Sequence, residues 1–205
     1  MKSSIVPVAA IAMGIATALF LSACSSPAPD SHGGHSSETS AGAAQPATND
    51  AADVTFATDM IPHHQQAVEM SALVPQRSTN PAVIKLASDI SAAQGPEIET
   101  MKAFLVQWNA APATGHEGHD GMTGMPGMGM QGMVDDATMA KLESLEGAEF
   151  DDLWLRSMIG HHEGAVAMAR TEIADGANAD AKTLAQTIVT AQQAEIDQMK
   201  KMLGE

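Results

Sequence analysis

Two histidine pairs sit in repeated boxes. Met60-Ile61-Pro62-His63-His64-Gln65-Gln66-Ala67-Val68-Glu69-Met70 returns as Met158-Ile159-Gly160-His161-His162-Glu163-Gly164-Ala165-Val166-Ala167-Met168, an offset of 98 residues between His63 and His161. The same offset carries Gln94, Glu97, Ile98, Met101 and Lys102 onto Gln192, Glu195, Ile196, Met199 and Lys200. A duplicated packing unit would share mainly its apolar pattern. Here His, Met, Gln and Glu recur as well, which is the vocabulary of metal ligands.

Spacing decides which of these can act together. Adjacent histidines on a helix point about 100° apart and rarely chelate one ion between them. Met60 is three residues before His63 and four before His64, and Met158 is four before His162, so thioether and imidazole lie side by side on a helix face. Glu97 and Glu195 fall within apolar stripes, where a carboxylate is costly unless it is paired or bound to a cation. Met101 follows Glu97 by four residues and can add a second thioether, as Met199 does beside Glu195. The candidate metal residues are therefore Met60, His63, His64, Glu97, Met101, Met158, His161, His162, Glu195 and Met199. Glu97 and Glu195 act either as ligands or as carboxylates that orient an imidazole.

Thioether with imidazole selects a soft ion, copper(I) or its mimic silver(I). Zinc seldom uses Met. A di-iron carboxylate bundle would need Glu-x-x-His at core positions, and none is present. Between the two boxes, residues 110–134 carry His116, His119, Met122, Met125, Met128, Met130 and Met133 among glycines. This segment reads as a connector suited to accessory, exchangeable copper(I) capture. Exposed Met serves solubility poorly because it oxidises.

Helices must position these groups. Phe56, Met60, His63, His64, Ala67, Met70 and Val74 share one face at about 100° per residue, which predicts a helix from Asp50 or Asp53 to about Val74. Pro62, and Gly160 in the repeat, should loosen the turn before each His pair. Asn80-Pro81 starts a second helix towards Trp108, and Gly95-Pro96 is expected to bend or break it. Asp136 caps a short helix to about Leu145. A third long helix runs from near Ala148 to Asp175-Gly176, and a fourth from Asn178 or Asp180 to Leu203. Strand signals are absent. The fold class is all-α: an antiparallel four-helix bundle, ferritin-like, made of duplicated hairpins over 53–109 and 148–204 joined by a long crossover.

The ends of the chain bound its setting. Lys2, the apolar run Ile5–Phe20 and Leu21-Ser22-Ala23-Cys24 predict a signal peptide over 1–23 and lipidation at Cys24. Residues 24–49, rich in Ser, Ala, Gly and Pro, read as a disordered stalk before the domain at 50–205. Membrane attachment would be through the N-terminal lipid only, with the chain exported and facing the periplasm or another extracytoplasmic space. Cys24 is the single cysteine, so no intrachain disulfide is possible. A net charge of −15 argues against nucleic-acid partners and favours cations. Fifteen Met against 4 Phe, 2 Trp and no Tyr is an unusual way to fill a core.

The doubled box, Met125-Pro126-Gly127-Met128 in the connector and Gly147-Ala148-Glu149-Phe150 before the second box resemble the bacterial domain of unknown function number 305, a ferritin-like family. The resemblance spans about Asp53 to Leu203. It implies a four-helix bundle in exported, often lipid-anchored proteins, some of them linked to copper binding and copper tolerance. It places the family's His-His boxes on His63, His64, His161 and His162, and its Met positions on Met60, Met70, Met158 and Met168. Gly95-Pro96 departs from the family, where a helix more often continues. Two readings follow. One is a non-enzymatic copper(I)-binding lipoprotein that buffers, sequesters or hands copper to a transfer partner. The other is a structural or partner-binding module of the cell envelope whose His–Glu pairs only satisfy each other. No nucleophile constellation is visible, and a metal-dependent oxidase lacks its carboxylates.

Overall fold

The computed structural model describes residues 48–110 and 131–205. Five helices appear in this order: α1 (Ala51–Arg77), α2 (Pro81–Gln107), α3 (Asp136–Ser144), α4 (Gly147–Asp175) and α5 (Ala179–Leu203). There is no strand among the described residues. Short polar caps set most boundaries. Asp50 accepts from Ala52 N–H and Asp53 N–H, and Asp53 returns a bond to Asp50 N–H, closing a capping box. Asn80 and Asn178 cap α2 and α5 by accepting from main-chain N–H groups of the first turn, without a reciprocal box, and Asp135, one residue earlier than expected, caps α3. Gly204, at φ 78°, ends α5 in the left-handed region.

Helix α1 runs three residues past Val74 and passes through both Pro62 and Pro75. Of the bend or break expected at Gly95-Pro96, the break does not occur, for α2 is one helix from Pro81 to Gln107. Pro96 is exposed, and so is Ala92, whose carbonyl loses its N–H partner and can be hydrated instead. Gln94 and Ile98, on either side, are buried, so packing of the inner face holds the helix through the interruption.

The hairpins α1–α2 and α4–α5 pack tightly, α1 packs on α4, and α2 scarcely meets α5. Helices α1 and α4 are antiparallel. Asp53 at the start of α1 bonds the main chain of Asn178 just past the end of α4, while the indole N–H of Trp154 near the start of α4 donates to the Met70 carbonyl at 3.1 Å. Hence α2 and α4 run the same way, the topology of a bundle with one crossover.

Two core clusters reproduce the duplication. One gathers Phe56, Met60, Met101, Ala165 and Met168. The other gathers Trp154, Met158, Met199, Ala67 and Met70, the same positions shifted by the repeat. Glu69 and Glu163, within the boxes, are exposed. Among the described residues no helix is long and apolar enough to cross a membrane.

Candidate metal centre

Between the two core clusters lies a layer of four histidines, each at most 1 % exposed. His63 and His161 occupy the same repeat position and face each other across α1 and α4, ring centroids 3.7 Å apart and tilted by 38°. His64 and His162 turn outward to the flanking helices. The Nε2 of His64 bonds Glu97 Oε2 at 2.8 Å, and Nε2 of His162 bonds Glu195 Oε2 at 2.8 Å.

Acceptor chemistry fixes the protons. A carboxylate can only accept, so Nε2 of His64 and of His162 must carry the N–H. The Nε2 of His63 lies 3.2 Å from the Gln131 carbonyl, which also only accepts. In the neutral ring the lone pair of these three histidines is therefore on Nδ1. All three Nδ1 atoms are buried without a hydrogen-bond partner among the described residues, and so are both ring nitrogens of His161. Burial first, and the charge of His64 next, hold the His63 pKa down to about 4. Burial, then His63, pushes that of His161 down to about 2, which nearby His63 main chain only weakly counters. Both rings are neutral at pH 7, as ligation requires. An N–H left unmet in such a site costs on the order of 1–3 kcal/mol.

Met60, Met101, Met158 and Met199 are fully buried in the adjoining clusters, Met60 with Met101 and Met158 with Met199. Each cluster thus holds one such pair of thioethers. Glu97 and Glu195 stand at the edge, their side chains 16 % and 18 % exposed, and they hold imidazoles. Among the described residues no three His, Cys, Asp or Glu side chains are placed to hold one ion, so a site here would need thioether sulfur or a shift of the imidazoles. In the connector, Met133 is half-buried, while His116, His119, Met122, Met125, Met128 and Met130 lie outside the described residues, as does Cys24.

The amides Gln94 and Gln192, which the repeat pairs in the sequence, are both buried and carry unpartnered polar atoms. Sequence reasoning missed two features. The first is the Gln131 carbonyl on His63. The second is an acidic pair at the far end of α1 and α4, made of Asp53 and Glu172, both almost wholly buried. Burial opposes charge on Asp53, but N–H donors of Asp50, Asn178 and Ala177, with Glu172, outweigh it and keep its carboxyl below the usual range. Burial, and then the Asp53 carboxylate, push Glu172 up to about 8. The shift favours the protonated acid beside Asp53, and both Glu172 oxygens are buried without a hydrogen-bond partner among the described residues.

The fold and this layer define a class: a helical-bundle protein with duplicated histidine boxes at its centre. The family described as Domain of unknown function (DUF305) matches residues 53–203, and the chain belongs to that family. It is similar to a DUF305 protein of Streptomyces coelicolor, described as a candidate secreted protein, at 38 % identity, covering 75 % of this chain and 92 % of that one, with a TM-score of 0.66. A DUF305 fragment from Deinococcus radiodurans is 33 % identical over 78 % of this chain and 99 % of its own, also at TM-score 0.66. CopM in its Cu(I)-bound form is 30 % identical over 73 % of this chain and 94 % of its own, at TM-score 0.59. CopM is also known in Cu(II)-bound and Ag-bound forms. No curated protein matches the chain.

Proposed function

We propose that this protein binds copper(I) outside the cytoplasm, to buffer it, sequester it or hand it on, without catalysing a reaction. The observation that carries this is the buried layer of lone-pair imidazole nitrogens between two clusters that each hold a pair of buried thioethers. Nothing else in the described chain offers a soft cation so many uncharged donors. The likeness to CopM, known with Cu(I), Cu(II) and Ag bound, supports the choice of ion. In this reading Met60, Met101, Met158 and Met199 supply sulfur, and His63, His64, His161 and His162 supply Nδ1, with His161 free to use either nitrogen. Glu97 and Glu195 orient His64 and His162 and raise their basicity. The connector residues His116, His119, Met122, Met125, Met128, Met130 and Met133 capture ions first, and a lipid on Cys24 tethers the exported chain to a membrane.

A second reading has a specific observation in its favour. The His64–Glu97 and His162–Glu195 bonds are complete as they stand, and no three His, Cys, Asp or Glu side chains converge among the described residues. A structural or partner-binding envelope module would need no more than that. Anaerobic titration of copper(I) against a chromophoric chelator separates the two. The copper reading expects competition that survives Ser substitution of the connector His and Met residues and is lost when the four box histidines become Ala. Competition that follows the connector alone makes the bundle a scaffold. No competition at all favours the envelope module.

A further inference from the structure

The turn that ends the connector lies on the histidine layer. Gln131 sets its carbonyl on His63 Nε2. Gly132, at φ +84°, rests against α4 so closely that a Cβ there would stand 2.7 Å from the Gly160 carbonyl oxygen and 3.1 Å from that of His161. Gly164 answers from the helix side, where an added Cβ would collide with the Gln131 carbonyl oxygen and lie 2.7 Å from its carbon. Two residues on, the Gln66 side chain clamps Val134. Its Nε2 donates to the Val134 carbonyl and its Oε1 accepts from the Val134 N–H, both at 2.8 Å.

The clamp and the glycine face are the same repeat position used twice. Gln66 and Gly164 are 98 residues apart, one on α1 and one on α4. One copy supplies an amide that grips the turn, and the other supplies a surface with no side chain for the turn to lie on. Gly160, one helical turn before Gly164, has open space where its Cβ would be, so glycine there serves another purpose than this contact.

We propose that Gln131–Val134 is a strap that positions His63 and closes the histidine layer on one side. The Gln131 carbonyl does for His63 what Glu97 does for His64 and Glu195 for His162. It holds the Nε2–H and leaves Nδ1 as the inward donor atom. Among the described residues His161 has no such holder, so within them the central pair is inequivalent: a carbonyl fixes the tautomer of one ring and none fixes the other. For the cargo, a consequence that rests on the copper reading, exchange of an ion at the central pair requires the strap to lift.

The direct test needs no metal. Nitrogen-15 and proton NMR of the imidazoles at fixed neutral pH reads the tautomer and the exchange rate of each ring proton. In the native chain His63 should be the Nε2–H tautomer with a slowly exchanging proton. Gln66→Ala and Gly164→Ala should each speed that exchange at least tenfold. The His162 Nε2–H on Glu195 should stay as it was, which also reports that the bundle remains folded. Gly160→Ala should leave both alone. Equal His63 exchange in all four proteins, or an Nδ1–H tautomer in the native chain, would overturn the strap. A second measurement follows silver(I) release to excess chelator, expected at least tenfold faster in the two strap variants. If silver(I) does not bind at all, the copper reading fails, while the ring-proton result still decides the strap.

Discussion

His64 with Glu97 and His162 with Glu195 meet at the same 2.8 Å, yet the turns that follow the two boxes are built differently. Two residues after the first histidine pair stands Gln66, which binds Val134, and two residues after the second stands Gly164, against which Gln131 and Gly132 lie. Duplication preserved the chemistry on the inner faces because both copies bury it in the same way. The outer faces were free to diverge, and a single connector can dock only once. The repeat is symmetric in its buried His, Met and Glu groups and asymmetric in what covers them.

The largest way to strain that symmetry is at Phe56 and Trp154, equivalent positions buried to 4 % and 0 % exposure. Truncating either to Ala should cost about 3–5 kcal/mol in chemical denaturation. Trp154→Phe, which makes the copies alike, should still cost about 1–2 kcal/mol, since it loses the hydrogen bond to Met70 along with volume. A neutral Trp154→Phe would mean that the copies are interchangeable there.

The pH dependence sharpens a second contrast, between the histidine layer and the acidic end. His63 and His161 have pKa values depressed by burial to about 4 and about 2. The unfolded chain then binds more protons below pH 6.5, and stability should rise with pH up to that point. Glu172 is raised to about 8, so the folded chain holds a proton that the unfolded chain releases above its ordinary 4.5. Its contribution is complete below 4.5 and fades as pH climbs through 8. Melting temperature against pH should therefore show an acid limb from the histidines and an alkaline limb from Glu172. Glu172→Gln should flatten the alkaline limb alone; an unchanged limb would detach it from this carboxyl.

The smallest effect lies within one helical turn of α4. Gly160→Ala meets open space and gains helix propensity, so it should stabilise by up to about 1 kcal/mol. Gly164→Ala has the same intrinsic gain but drives a Cβ into the Gln131 carbonyl, and overpacking of that kind costs about 1–3 kcal/mol. Denaturant midpoints of opposite sign for the two variants are expected. Midpoints that shift together would remove the close approach of the connector.

Much of this architecture is written in the sequence pattern. Periodicity located the inner faces, since every residue of the α1 stripe from Phe56 to Val74 is buried. The repeat located the His–Glu pairs because hairpins with short loops bring mid-helix positions together. What was misread had local causes. Gly95-Pro96 looked like a break because propensity is local, while the buried neighbours that hold α2 together belong to tertiary packing. The strap was missed because its contact to His63 is a backbone carbonyl, which no side-chain pattern announces. The Gln66/Gly164 difference, one of four between the boxes, was its trace in the sequence. Asp53 and Glu172 were missed because they are not repeat equivalents and meet only once α1 and α4 pair.

In the proposed function, sulfur and imidazole of the buried layer hold copper(I) together. X-ray absorption at the copper edge tests it most directly, on the chain carrying Ser at the connector His and Met positions and loaded with copper(I). The account predicts mixed sulfur and imidazole scattering, with the sulfur shell lost when Met60, Met101, Met158 and Met199 become Leu and the imidazole shell lost when the box histidines become Ala. A coordination shell unchanged by both sets of substitutions would contradict it.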